Sequence, residues 1–314
     1  MSLADGSCYD TGRMRRSLAF AALSLTLLAH AAPAQERTLR HGGRTRSYVV
    51  RVPSAVTRAS APLPVVIVLH GGGGNAANAE QMTGFTRLVE RERIIVVYPN
   101  GTGRRRADRL LTWNAVHCCG PAMDGRVDDV GFIAAILDTL AKHYPVDVRR
   151  IYATGMSNGA MMTHRLGREL SRRFAAIAPV VGTVFGDEAV ATHAVSAMII
   201  NGSLDENVPP QGGLGDGFGR RAWDGVPAKP FLDQGNYWAR VNDCLPTPTM
   251  KEFGKLSHWA WTCPPGRAVE LYQVKDNGHA WPSGNAGSRL GDTPSQAINA
   301  TDAMWAFFKA HPRD

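Results

Sequence analysis

The chain has 314 residues, of which 44% are hydrophobic and 20% charged, and carries a net charge of +8. Those proportions are ordinary for a folded globular protein, and the length suits one large α/β domain or at most two small ones. The positive balance has no patterned basic face, because Arg104-Arg105-Arg106 is the only run of three, so nucleic acid is not an expected partner.

Near the start, Arg13-Met14-Arg15-Arg16 is followed by the apolar run 18–29 and then by Ala32-Pro33-Ala34. A basic n-region, a short h-region and an A-x-A-like site predict a secretory signal peptide over 1–34, with Met14 as an alternative start. A membrane span needs about 20 apolar residues, and this run is shorter. The mature chain 35–314 is expected to be a single exported domain, extracellular or periplasmic, with no membrane attachment and an open oligomeric state.

Beyond the leader, 45–53 alternates like an opening strand and 65–69 reads as a buried one. It runs into His70-Gly71-Gly72-Gly73-Gly74-Asn75, after which 79–91 fits a helix and 94–98 a strand. In 129–143 the apolar residues Val130, Ile133, Ala134, Leu137 and Leu140 fall on one helical face, with Asp128 or Asp129 placed to cap it. The strand 150–154 enters Gly155-Met156-Ser157-Asn158-Gly159 and a helix follows over 160–169. Two further strands, 195–200 and 269–274, end in Asn201-Gly202-Ser203-Leu204-Asp205 and Asn277-Gly278-His279, and a last helix fits 295–310. Strands alternating with helices predict an α/β fold with a mostly parallel, doubly wound sheet and helices on both faces. The Gly- and Pro-rich stretch 209–230 breaks this rhythm. It reads either as a lid or binding loop or as an ordinary surface insertion.

Three of these strand ends carry chemistry. G-x-S-x-G between a strand and a helix presents its serine on a sharp turn, which makes Ser157 a candidate nucleophile. A serine hydroxyl is nearly inert at neutral pH unless a histidine accepts its proton and a carboxylate holds that histidine in the right tautomer. His279 and Asp205 follow in the chain order Ser, Asp, His, each at a strand end. The backbone N–H of Asn158, with one from the glycine loop, is placed to form an oxyanion hole, and Gly72 is the choice within that loop. A phosphate-binding role for the glycines is disfavoured, because no Lys-Ser or Lys-Thr follows Gly74. No C-x-x-C or H-E-x-x-H is present, so neither a metal nor an organic cofactor is expected.

Loss of 1–34 removes Cys8 and leaves Cys118, Cys119, Cys244 and Cys263. An even number in an oxidising compartment points to disulfides. Cys244 and Cys263 flank a short hairpin-like excursion and are the favoured pair; Cys118 and Cys119 then form a vicinal pair or stay reduced.

With those residues in place, the chain resembles the esterase family that groups poly(3-hydroxybutyrate) depolymerase-like proteins with bacterial feruloyl and acetylxylan esterases. The likeness covers about residues 45–311. It rests on the stretches starting Leu69-His70-Gly71, Tyr98-Pro99-Asn100-Gly101, Trp113-Asn114, Cys118-Cys119-Gly120, Val127-Asp128-Asp129, Gly155-Met156-Ser157, Asn201-Gly202-Ser203 and Gly278-His279-Ala280-Trp281-Pro282. The resemblance implies an α/β-hydrolase fold, the triad Ser157, Asp205 and His279, and a place near the substrate for Trp113 and Trp281. Asn242-Asp243-Cys244 departs from it, since a glycine would be expected before the cysteine. The implied activity is hydrolysis of carboxylic esters through an acyl-enzyme, with feruloyl or related polysaccharide-linked esters first. Hydroxyalkanoate oligomers or polyester, acetylxylan, and a non-catalytic carbohydrate- or envelope-binding role on the same scaffold are the alternatives.

Overall fold

A computed structural model describes residues 34–104, 110–216, 222–287 and 291–313, all within one compact unit. The expected signal segment up to residue 33 lies outside the described residues, as do Arg105, Arg106, Arg220 and Arg221.

Ten strands form one sheet: β1 (Ala34–His41), β2 (Arg44–Arg51), β3 (Leu63–Leu69), β4 (Ile95–Pro99), β5 (Val146–Met156), β6 (Ala176–Val180), β7 (Ser196–Gly202), β8 (Thr249–Phe253), β9 (Leu256–Trp261) and β10 (Val269–Val274). Their spatial order is β1-β2-β4-β3-β5-β6-β7-β10-β9-β8. The six central strands, β4 to β10 in that order, run parallel, and an antiparallel pair closes each edge.

The central strands read as unbroken apolar runs because both of their faces are covered. Every residue of β3 is buried, and successive residues serve opposite cores. Val65, Ile67 and Leu69 pack with α4 (Asp129–His143), α5 (Asn158–Glu169) and α6 (Phe231–Val241). Val66 and Val68 pack with α1 (Ala76–Thr83), α2 (Leu88–Glu92) and α7 (Ala300–Ala310). At about 1.5–3 kcal/mol for each fully buried aliphatic side chain, these strands anchor the molecule.

Helix boundaries follow the caps. The expected helix 79–91 begins earlier, because the Asn75 side chain accepts from the Asn78 N–H at 2.9 Å, and it breaks at Gly84, whose φ of 65° ends α1. One 3-10 turn then leads into α2. Asp128, not Asp129, caps α4 by accepting from the Gly131 N–H at 2.8 Å. The last helix starts at Ala300 because Asn299 caps it. Strands β1 and β6, the short α3 (Gly120–Asp124) and α6 have no counterpart among the expected elements, and β8 and β9 correspond only to the hairpin-like excursion.

The structure pairs Cys244 with Cys263 across the β8–β9 hairpin, and Cys118 with Cys119. Where a glycine was expected before Cys244, Asp243 adopts φ 56°. Aspartate tolerates that left-handed region better than most residues, and here its carboxylate meets Arg267 at 2.5 Å.

The double variant Cys244→Ser/Cys263→Ser is expected to lose about 3 kcal/mol of stability, since the bridge closes a loop across a sequence separation of 19. Urea unfolding of both proteins at neutral pH measures this, and coincident midpoints would contradict it.

Candidate active site

Because β3, β5, β7 and β10 are parallel, their carboxyl ends meet at one edge of the sheet, where open α/β sheets bind their ligands. Each of the four ends delivers one of the residues picked out above.

At the end of β5 the chain turns sharply through Ser157, which holds φ 58° and ψ −123°. A non-glycine residue there is strained, and the surroundings maintain it. The Ser157 N–H donates to Val180 O at 3.0 Å, and its carbonyl accepts the first bonds of α5. The flanking glycines are required by close approach. A Cβ at Gly155 would stand 2.6 Å from the Gly159 carbonyl oxygen, and one at Gly159 would run into the His70 and Leu69 carbonyls, the latter at 2.7 Å.

The acid and base arrive together. Asp205 is buried, with a side-chain exposure of 0%, and its Oδ1 accepts from the N–H groups of Asn207 at 2.9 Å and Val208 at 2.8 Å. Its carboxylate also meets His279 Nδ1, at 2.8 Å through Oδ2 and 3.0 Å through Oδ1. Since a carboxylate only accepts, Nδ1 carries the proton and Nε2 keeps its lone pair for the site. The two loops brace each other: Leu204 N–H donates to Asn277 O at 3.0 Å, and Gly202 lies so close to the Asn277 and Gly278 carbonyls that no Cβ fits. Asn277 also donates to the carbonyls of Gly278 and Ala280, and the His279 N–H is held by Asp292 at 2.5 Å. Asp292, thirteen residues downstream, has no sequence signal that would single it out.

The Ser157 hydroxyl makes no hydrogen bond with any described residue, so the contact from hydroxyl to imidazole is not formed in this arrangement. Such contacts commonly tighten only when substrate is bound.

The glycine loop lies against the serine turn. A Cβ at Gly71 would be 3.6 Å from that of Ser157, and one at Gly72 would be 3.7 Å from that of Asn158. The N–H of Gly73 donates to Leu111 O at 2.8 Å and that of Gly74 to Gly71 O at 3.0 Å. Neither is available to a ligand. The N–H groups of Gly72 and Asn158 have no acceptor among the described residues, which leaves this pair as neighbouring donors.

The two tryptophans correct an expectation. Trp113 is 0% exposed and Trp281 1%, each inside one of the two cores. Trp113 Nε1–H donates to His70 O at 2.9 Å, and Trp281 Nε1–H to Thr301 Oγ1 at 3.1 Å. Neither indole offers a wall to an acyl group, because both are already packed on all sides. The exposed apolar side chains near the site are instead Leu204, beside Asp205, and Leu110, whose Cδ2 would lie 3.7 Å from a Cβ at Gly73.

Two buried histidines belong to the scaffold. His70 is pushed down to about 4 by burial, as is His164. His164 sits in a buried chain in which its Nδ1 accepts from Trp238 Nε1–H at 2.9 Å and its Nε2 meets Gln234 Oε1 at 2.9 Å. A third histidine, His117, bridges Asp224 at 2.7 Å and Asp187 at 2.8 Å. Burial works to lower its pKa, but the hydrogen bonds its ring donates to the two carboxylates prevail and raise it. Together with the bond from Asp224 N–H to His117 O at 3.1 Å and that from Lys229 N–H to Val184 O at 3.0 Å, this pair ties the described part of 209–230 to its neighbours.

A groove of about 620 Å³ runs along α5 past Met161, His164, Arg165 and Arg168, and none of Ser157, Asp205 or His279 lines it. Chemistry, rather than volume, identifies the site. No cluster of three or more His, Cys, Asp or Glu able to hold a metal occurs among the described residues. Among the same residues no helix is long and apolar enough to cross a membrane.

A mostly parallel sheet covered on both faces, with a serine on a strained strand-to-helix turn and a carboxylate-held imidazole at the same edge, is an α/β-hydrolase fold. The chain belongs to the esterase PHB depolymerase family, which matches residues 46–229. It is 26% identical to feruloyl esterase B of Piromyces equi over 249 residues, 77% of this chain and 44% of that protein. It is 25% identical to poly(3-hydroxyalkanoate) depolymerase C of Paucimonas lemoignei over 248 residues, 74% of this chain and 57% of the relative. This chain thus spans about half the length of these curated relatives. Among solved structures, an acetyl xylan esterase from Aspergillus awamori superposes with a TM-score of 0.61 at 16% identity, over 88% of this chain and 99% of that one, which supports the fold.

Acid should destabilise the scaffold through its two buried histidines. An unfolded histidine titrates near 6.5, whereas His70 and His164 stay neutral in the fold until about 4. The unfolded state therefore binds more protons within that window, and stability present above pH 6.5 is lost as pH falls towards 4, by up to about 3 kcal/mol for each histidine. Urea midpoints measured from pH 7 to 4.5 check this, and His164→Gln should flatten the slope.

Proposed function

We propose that this protein is a serine carboxylic ester hydrolase, exported after loss of residues 1–34. Ser157 attacks the ester carbonyl while His279 Nε2 accepts its proton, and Asp205 stabilises the resulting imidazolium. The N–H groups of Gly72 and Asn158 take the tetrahedral oxyanion. His279 returns the proton to the leaving alcohol, and water releases the acyl group by the same route. The observation that carries this reading is a pair of adjacent backbone donors without an acceptor, beside a serine held at φ 58°. The Cys244–Cys263 disulfide supports an oxidising destination.

For the substrate, the names of the relatives favour feruloyl or related polysaccharide-linked esters, with several feruloyl esterases and an acetylxylan esterase among them. A second reading, hydroxyalkanoate oligomers, is favoured by Leu110 and Leu204, exposed at 74% and 61% beside the glycine loop and the acid. Apolar rims of this kind suit a substrate with little hydrogen-bonding capacity.

Ser157→Ala is expected to abolish hydrolysis of a short p-nitrophenyl ester, a loss on the order of 10⁴-fold or more. Equal rates for variant and parent would leave only a binding role. Methyl ferulate, acetylated xylan and hydroxybutyrate trimer assayed side by side rank the substrates, and turnover of the trimer without turnover of methyl ferulate would reverse the order given.

A further inference from the structure

We propose that Trp113 is a positioning residue that sets the spacing of the two oxyanion donors, acting together with His70 as a clamp between the serine turn and the glycine loop. The inference rests on the ester hydrolase reading above and adds to it a part of the machinery that touches no substrate.

The main-chain and indole polar groups of Trp113 join the two halves of the hole. Its N–H donates to Asn158 Oδ1 at 2.7 Å, and its carbonyl accepts from Asn158 Nδ2 at 3.0 Å. The indole Nε1–H donates to His70 O at 2.9 Å. Asn158 is the residue whose own N–H is the first donor, and its side chain, buried at 1% exposure, is held by Trp113 at both ends. His70 opens the loop that carries the second donor. One buried residue therefore links the backbone of one donor to the backbone of the other.

The peptide geometry explains how the second donor is aimed. His70 Nε2 accepts from the Gly101 N–H at 3.0 Å, so the ring proton sits on Nδ1, which donates to Gly71 O at 2.7 Å. That carbonyl also accepts from Gly74 N–H at 3.0 Å. The Gly71 carbonyl and the Gly72 N–H belong to the same planar trans peptide and point in opposite directions. Holding the oxygen on one side thus turns the Gly72 N–H to the other. Burial keeps His70 neutral, with its pKa down at about 4, and this preserves the tautomer the arrangement needs. The imidazole also packs on the indole, with ring centroids 4.8 Å apart.

An oxyanion hole acts on charge that exists only in the transition state, so a misplaced donor lowers kcat and leaves ground-state binding alone. A residue that merely packed would not separate the two.

Trp113→Phe removes the indole N–H and keeps an aromatic ring in the core. The expected result with a p-nitrophenyl ester is a kcat lowered roughly ten- to a hundredfold, with KM within about twofold. A boronic acid that mimics the tetrahedral adduct should weaken in proportion to kcat/KM. Rates are normalised to competent serines, counted by the end-point stoichiometry of a fluorophosphonate. The pair His70→Asn and His70→Ala gives the independent arm. The Asn amide places an N–H near the position of Nδ1, so His70→Asn should retain several-fold more kcat than His70→Ala. If Trp113→Phe fails to fold, this pair decides the question. Unchanged kcat in Trp113→Phe, or equal kcat in the two His70 variants, would overturn the inference while leaving the hydrolase reading intact. A parent protein inactive on esters and unreactive towards the fluorophosphonate would overturn both.

Discussion

The carboxyl ends of β3 and β5 approach so closely that no Cβ fits between them, and the rest of the site depends on that approach. Gly159 lies directly under the Leu69 and His70 carbonyls, and Gly155 faces Leu69. Because these strands are neighbours with matched register, Leu69 opposite Gly155, the serine turn and the glycine loop leave the sheet side by side. Any side chain at either glycine would push the two loops apart and separate the two backbone donors. The strain at Ser157 is tolerable for the same reason, since the turn is held by Val180 on one side and by the start of α5 on the other.

Around that contact the fold uses buried polar groups as spacers. Arg46 and Asp129 form a buried ion pair at 2.7 Å. The guanidinium also donates to Asn100 O at 3.2 Å and lies over the Phe132 ring at 4.0 Å. The second oxygen of Asp129 accepts from Asn114 N–H at 2.8 Å, so the pair holds the segment next to Trp113 in place. Burial raises the Asp129 pKa while Arg46 works against it. A pair of this kind contributes little net stability, yet removal of one partner leaves an uncompensated charge, which makes it a device for fixing geometry. Asn277 and Asp292 play the corresponding part for the histidine loop, where both bond to backbone around His279.

Much of this architecture was legible in the chain. The apolar runs of five of the six central strands, the turn at Gly155–Gly159 and the order Ser157, Asp205, His279 all follow from local patterns, because covered strands and tight turns tolerate few residue types. Which N–H of the glycine loop is bonded within the fold was not legible: that of Gly73 is taken by Leu111 O, a contact between segments far apart in sequence. Helix ends shifted where caps at Asn75, Asp128 and Asn299 outweighed apolar periodicity. Strands β1 and β6 and helix α6 escaped notice, β1 because a polar edge strand carries no clear alternation and β6 because its five residues, Ala176–Val180, are too short a run to stand out.

What the sequence determined alone is whatever short-range sterics dictate: most of the central strands, where the glycines permit a turn, and which strand ends carry a hydroxyl, a carboxylate and an imidazole. What only the tertiary structure decided is the use of side chains whose chemistry suits more than one environment. Trp113 and Trp281 have the surface of a binding wall, but each is enclosed in the core on one face of the sheet, and their N–H groups find acceptors only through contacts of long sequence separation. The same holds for Asp129, which sits next to the capping residue yet faces inward to Arg46. Local patterns specify backbone conformation, whereas the partner of a buried polar group is specified by which distant segment the folded sheet brings within hydrogen-bonding distance.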